Sequence, residues 1–270
     1  YGDGCNISNI RTENLIGICS INNGGTGLSN IINNNLINEL NRPLDEIIYQ
    51  IKLNIKRWEE FDSSKTSEFI LINIPDFNLQ LYNKDSIIIN MKVITGKPDK
   101  KTPQLKSEVE QIVVCPYWNI PESILQNEIL PLIKRFPNYL STYNMEWQGN
   151  KLRQLPGKGN SLGLIKFLFP NPYDVYLHDT PMKNLFNSNT RTYSHGCIRL
   201  EDAKKLALYL LRNDSNWNEV KLSKTIEKNK EIFIKLIQPM PIYVKYFTAW
   251  VDEKGELQLR KDIYQLDSKN

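Results

Sequence analysis

At 270 residues, 40% hydrophobic and 24% charged, the chain has the length for one sizeable catalytic domain with an appendage and the balance of an ordinary globular protein. Its net charge of +4 is mild, and Lys and Arg are scattered without a basic stripe, which argues against nucleic acid as a partner. No stretch approaches the roughly 20 consecutive apolar residues of a membrane helix.

Residues 1–33 are rich in Gly, Asn and Ser, and Asn22-Asn23-Gly24-Gly25 is a turn signal, so this part reads as a poorly ordered lead-in. From Leu44 to Phe61, Ile47, Ile48, Ile51, Ile55 and Trp58 keep helical spacing behind Arg42-Pro43, which predicts a helix bracing the domain that follows. Residues 68–75, 77–82 and 86–95 run apolar or alternate, with Asn83-Lys84-Asp85 as a turn, and predict a β-meander that opens a sheet. Between Pro121 and Pro170 the pattern turns to mixed helix and loop. Ile124–Ile133 reads as helical and Pro156-Gly157-Lys158-Gly159-Asn160 as a flexible link, so residues 122–165 read as a long insertion, the kind of segment that usually serves as a lid or binding loop. Tyr173–His178 alternates and predicts a strand delivering His178, with Met182–Tyr193 as a polar loop. After Glu201-Asp202, apolar Ala203, Leu206, Ala207, Leu210 and Leu211 predict a helix. Glu231–Leu236, Pro241–Val251 and Glu256–Leu259 predict further strands, the last two joined by an Asp252-Glu253-Lys254-Gly255 turn. The fold class expected is α+β, mainly β, divided into a lead-in and brace over residues 1–65 and a catalytic domain over 66–265.

The chemistry concentrates at Ser194-His195-Gly196-Cys197. The chain has only two histidines, His178 and His195, and both lie close to this cysteine in sequence. Cysteine attacks carbonyls as the thiolate, and a nearby imidazole lowers its pKa and accepts the proton. Gly196 permits close approach and unusual dihedrals, while Arg199 can favour a thiolate or hold an anionic substrate. The following helix N-terminus would add modest support for negative sulfur. Two plainer readings compete: an inert buried cysteine, and a metal site formed by His178, His195 and Cys197. Inert burial fits Cys115, inside Ile112-Val113-Val114-Cys115. Nothing near Cys197 has paired Cys-x-x-Cys or His-x-x-x-His spacing, so no metal and no cofactor are expected.

Fifteen residues separate His178 from Ser194, and a histidine, such a gap, then Ser-His-Gly-Cys resembles the signature of the L,D-transpeptidases, the YkuD-like cysteine enzymes that cross-link bacterial peptidoglycan. Ile74–Leu79, Val93–Pro98, Pro116–Pro121, Phe169–Tyr173 and Tyr176–Pro181 resemble the large Gram-negative periplasmic branch of that family, over about residues 40 to 265. The resemblance implies a β-sandwich catalytic domain with an inserted helical or loop cap over the active-site groove. It implies Cys197 as nucleophile, His178 as base and acid, and His195 and Gly196 in an oxyanion pocket whose donors are the amides of Gly196 and Cys197. It implies orientation of His178 by Asp179, through main chain or side chain. Tyr176 would face the nucleophile, and Asp179, Ser194, Arg199, Trp118 and Tyr117 would border the substrate. Arg199 stands where many members carry asparagine, though the large branch commonly has arginine.

The reaction implied is attack on a stem tetrapeptide, release of D-alanine, and resolution of the thioester by a diamino-acid amine to give a 3-3 cross-link. Water in place of the amine would make an L,D-carboxypeptidase. Partners implied are peptidoglycan stem peptides and carbapenem inhibitors, the setting is the periplasm, and the roles are cell-wall biogenesis and cell shape. Tyr1 begins the chain without a signal peptide or anchor, so a mature or trimmed form is expected. In an oxidising periplasm Cys5 and Cys19 could pair, while Cys197 must stay reduced. A thiol peptidase of ordinary peptides and a non-catalytic cell-wall binding module remain as rivals.

Overall fold

The computed structural model describes residues 39, 41–61 and 66–268. The expected lead-in over 1–33 and the Cys5–Cys19 pairing lie outside the described residues. Helix α1 (Leu44–Glu59) starts at Pro43, with Asp45 and Glu46 in its first turn and Lys56 and Arg57 in its last, a charge order that suits the helix dipole. The predicted meander follows as β1 (Glu68–Asn73), β2 (Asn78–Asn83) and β3 (Ser86–Gly96), paired antiparallel. Strand β4 (Leu105–Val114) leads to an insertion: β5 (Trp118–Asn119), α2 (Glu122–Ile124), a π-helical turn (Leu125–Ile129), α3 (Leu130–Arg135), α4 (Tyr139–Thr142), β6 (Met145–Gln148) and β7 (Lys151–Gln154). Then come β8 (Ile165–Leu168), β9 (Leu177–His178), a 3-10 turn (Lys183–Asn187), β10 (Thr192–Ser194), β11 (Ile198–Leu200), α5 (Ala203–Leu210) and α6 (Glu219–Glu227). Strands β12 (Ile232–Lys245), β13 (Ala249–Val251) and β14 (Leu257–Leu259) complete the chain. Among the described residues no helix is long and apolar enough to cross a membrane.

Nine strands form one sheet in the order β10-β3-β11-β9-β8-β4-β12-β1-β2, and an additional β2–β3 pairing brings its ends together. Side chains alternate across a strand, so one face of each turns inward. Ile70, Ile72, Leu79, Leu81, Val93, Ile112, Val114, Phe167, Leu177, Ile198, Ile242 and Val244 meet there. This is the expected α+β, sandwich-like architecture. Strand β1 is buried on both faces, because its outer residues Phe69 and Leu71 pack with Tyr243 and Phe247 beneath Trp58 and Phe61. Trp58 of α1 stacks on Phe247 at 3.9 Å, and Ile47 and Ile51 pack on Ala249 and Leu259 of the β13–β14 hairpin. Asn54 and Gln50 bond the main chain of Thr248. Helix α1 thus covers the outer side of the sheet, and its bonds to Thr248 interrupt the strand expected over Pro241–Val251.

Three local expectations differ from the structure. Residues 173–176 are loop: Asn171 Oδ1 accepts the N–H groups of Tyr173 and Val175, donors a strand would spend on its neighbour, and Asp174 has φ +53. Glu231–Leu236 and Pro241 onward form one strand, and a register shift between Lys235 and Met240 takes up Pro239, where proline is tolerated. The Pro156–Asn160 link is pinned, since Asn160 Nδ2 donates to the carbonyls of Pro116 and Leu155 and Gln154 Nε2 to that of Gly159.

Candidate active site

Cys197 lies one residue before β11, and pairing sets Ile198 beside Leu177 and Arg199 beside His178. Alternation sends Ile198 and Leu177 into the core, both fully buried, and leaves Cys197, Arg199, Tyr176 and His178 on the opposite face. Cys197 and His178 are diagonal neighbours, with Cα atoms about 8 Å apart from strand spacing and rise. Cys197 is partly exposed, whereas Cys115 is sealed in the core with its thiol donating to the Ile226 carbonyl.

His178 is 5% exposed, and its Nδ1 lies 2.5 Å from the Asp179 carbonyl oxygen. A carbonyl only accepts, so the proton sits on Nδ1 and Nε2 is left as the acceptor. This answers the question left open by the sequence: main chain, not side chain, orients the ring. The Asp179 carboxylate instead accepts from the Leu164 N–H and Lys183 Nζ. It packs so tightly on Gly163, at φ +63, that a Cβ there would come within 2.4 Å of it. Burial, seconded by the Arg199 and Lys166 cations, drops the His178 pKa from 6.5 to about 3, so the imidazole is neutral.

The sulfur is met by the Tyr176 main-chain N–H and hydroxyl, and its own thiol points to the Asp174 carbonyl at 4.0 Å. Burial and the adjacent sulfur push the Tyr176 hydroxyl pKa upward, so it remains a donor. For Cys197 the balance runs against the sequence expectation. Burial raises its pKa and outweighs the opposing pull of Tyr176, Lys166 and Arg199. The expected helix dipole does not reach it. Asp202 caps α5, but the extended β11 carries the chain about 10 Å away, and dipole effects fade within one turn. The resting pair is therefore neutral thiol and neutral imidazole. Alkylation of Cys197 by iodoacetamide, followed by peptide mass mapping, should keep accelerating beyond pH 9. A plateau below pH 8 would contradict this assignment.

The motif loop is rigid. Ser194 Oγ donates to the Cys197 carbonyl and accepts the Gly196 N–H, while Thr102 Oγ1 donates to the Gly196 carbonyl. Gly196 sits at φ +113, open to glycine and strained for other residues. Its amide donates to Ser194 Oγ at 3.2 Å. Among the described hydrogen bonds the Cys197 N–H has no acceptor. Ser194 is buried and holds the loop, so its expected contact with substrate is corrected.

His195 pairs with the insertion: its Nε2 meets Glu128 Oε1 at 2.7 Å. Glu128 belongs to the π-helical turn, so the insertion reaches across to the residue two before the sulfur. That insertion has its own core of Ile120, Leu125, Ile129, Met145 and Leu152 and a three-stranded sheet, β5-β7-β6, which adds strands to the helix and loop expected there. Trp118 packs against this core, and Tyr117 lies under the Arg153 guanidinium at 4.1 Å. Both aromatics keep a partly exposed surface beside these contacts.

Sequence reasoning passed over Glu128, Asp174 and Lys166. Lys166 stands beside His178 on β8, with Nζ 3.8 Å from the Tyr176 ring centroid. The alternation of Ile165, Lys166, Phe167 and Leu168 was its available signal.

The family description YkuD, L,D-transpeptidase catalytic domain, matches residues 67–224. A Haemophilus influenzae protein named "Putative L,D-transpeptidase" is 32% identical over 219 residues, 73% of this chain and 44% of that protein, so the chain spans less than half of this relative. Among solved structures, it aligns with an L,D-transpeptidase from Mycobacterium smegmatis at TM-score 0.35 and 14% identity, covering 66% of this chain and 58% of the other. It also aligns with L,D-transpeptidase 3 from Mycobacterium tuberculosis in complex with a faropenem-derived adduct, at TM-score 0.33 and 13% identity, covering 66% and 60%. By the extent of the domain match and the identity to the H. influenzae relative, the chain belongs to the YkuD family of L,D-transpeptidase catalytic domains.

Proposed function

We propose that this protein is a periplasmic peptidoglycan L,D-transpeptidase with Cys197 as nucleophile and His178 as proton carrier. The observation that carries the reading is the partly exposed thiol on the same sheet face as a buried neutral imidazole whose Nδ1 is held by the Asp179 carbonyl. Starting from a neutral pair, attack and deprotonation run together: Sγ bonds to the carbonyl carbon of the third stem residue as its proton passes to Nε2. The tetrahedral oxyanion takes the free Cys197 N–H, and the Tyr176 hydroxyl stands at the same sulfur as a second donor. The C–N bond to D-alanine then breaks, and the imidazolium returns its proton to the leaving amine. The side-chain amine of a diamino acid on a second stem attacks the thioester, gives up a proton through His178 to the departing sulfur, and closes the 3-3 cross-link. With water as acceptor the product would be the tripeptide. The insertion, anchored to the motif by Glu128 and His195, acts as the cap that screens the thioester from water.

Incubation with a stem tetrapeptide and an amine acceptor is expected to release D-alanine and yield the cross-linked product, and a carbapenem is expected to add its full mass to the protein at Cys197. Hydrolysis of ordinary peptides without D-alanine release would favour the thiol-peptidase reading, and no turnover with no adduct would favour a binding module.

A further inference from the structure

Three neighbouring strands set a row of basic groups on the face that carries the sulfur. Lys166 on β8 pairs with His178 on β9, and His178 pairs with Arg199 on β11. Paired residues share a face, and strands lie about 4.8 Å apart, so the Cα atoms of Lys166 and Arg199 flank that of His178 at about 10 Å from one another. Neither forms an ion pair among the described residues. Glu231 attracts Lys166, yet its carboxylate is engaged with the Tyr117 N–H. Lys166 rests on the Tyr176 ring. The Arg199 Nε is buried with no acceptor, and Nη1 faces only the Met182 sulfur at 4.0 Å.

Partly buried cations are expensive unless an anion answers them. The resting sulfur does not supply one, because burial holds Cys197 as the thiol. The imidazole between them is neutral as well. The site therefore carries two desolvated positive charges beside the reacting atoms, with hydrogen-bond donors still unspent.

We propose that Lys166 and Arg199 form an anion subsite that reads a peptide carboxylate within one residue of the scissile carbonyl. This rests on the transpeptidase reading above and names which substrate feature the site selects. A stem tetrapeptide offers such carboxylates on the terminal D-alanine and on the diamino acid, and Arg199 offers the planar fork suited to either. Beside the larger effect of burial, the two cations add to keeping the His178 imidazole unprotonated while the subsite is empty.

The test uses the full chain carrying Cys197→Ala, so that binding is read without turnover, and three synthetic stem tetrapeptides: one with both carboxylates free, one with a terminal amide, and one with the diamino-acid carboxylate amidated. Adding Lys166→Gln or Arg199→Gln should weaken binding of the free peptide about 10–100-fold, the range of a charge-assisted hydrogen bond. Lys166→Arg should restore most of it. The amidated peptide that wild-type contacts bind as weakly as the Gln variants bind the free one identifies the carboxylate being read, and that peptide should lose nothing further in those variants. Equal losses on all three peptides, or none on any, overturn the subsite; circular dichroism and melting curves exclude misfolding as the cause of an equal loss. In the Cys197 protein, D-alanine release that survives such a result leaves the transpeptidase reading standing, whereas absence of both release and carbapenem adduct overturns that reading and the subsite with it.

Discussion

Replacing Cys197 by alanine is expected to abolish D-alanine release and the carbapenem mass shift while leaving the fold intact. The sulfur's contacts are its thiol's approach to the Asp174 carbonyl at 4.0 Å and the Tyr176 main-chain N–H and hydroxyl, weak sulfur contacts whose loss costs little. The bonds that shape the loop belong to Ser194, Gly196 and Thr102 and do not use the side chain. Removal of a partly exposed thiol should change stability by less than about 1 kcal/mol. No second described thiol can substitute, because Cys115 is fully buried and its pKa is raised by that burial. Intact mass after carbapenem treatment, with peptide mapping, checks both halves. An adduct that persists on the alanine variant would show that the wrong sulfur has been assigned, and a collapse of the melting temperature would show that the side chain is structural.

Replacing His178 by glutamine is expected to lower D-alanine release about 10²–10⁴-fold, the range for loss of a positioned acid and base, and to make the protein less sensitive to acid. The sign follows from the shift. The folded-state pKa lies near 3, below the ordinary 6.5, so between these values the unfolded chain binds a proton that the folded chain refuses. The stability from burying the neutral ring is fully present above pH 6.5 and is lost as pH falls toward 3. Across that window the loss is on the order of 4 kcal/mol. Glutamine has no titration there. Urea unfolding at pH 7, 5.5 and 4 should show a shallower decline for the variant. Parallel declines would mean that His178 already titrates freely in the folded protein.

Much of the framework was readable before folding, because it depends on local pattern. The spacing of Ile47, Ile51 and Trp58 gives α1, the alternation through 68–95 gives the meander, and Ala203, Leu206, Ala207 and Leu210 give α5 with Asp202 as its cap. The errors fall where side chains override the local backbone pattern. Asn171 turns a strand-like run into a loop. Asn160 and Gln154 fix a segment that composition marks as loose.

At the site, the signature named the thiol and the imidazole, and a rare residue pair beside glycine was enough for that. Which groups act on them depends on distances across strands that are remote in sequence. Lys166 became visible only once β8 paired with β9, and Glu128 only once the insertion folded over His195. The Gly196 amide donates to Ser194 Oγ. Sequence alone therefore determined the chemical identity of the candidate nucleophile and base and the order of the strands' hydrophobic faces. Tertiary structure alone decided their protonation, because the desolvation that keeps both neutral arises from packing, joined by the cations at His178 and outweighing their pull on the thiol.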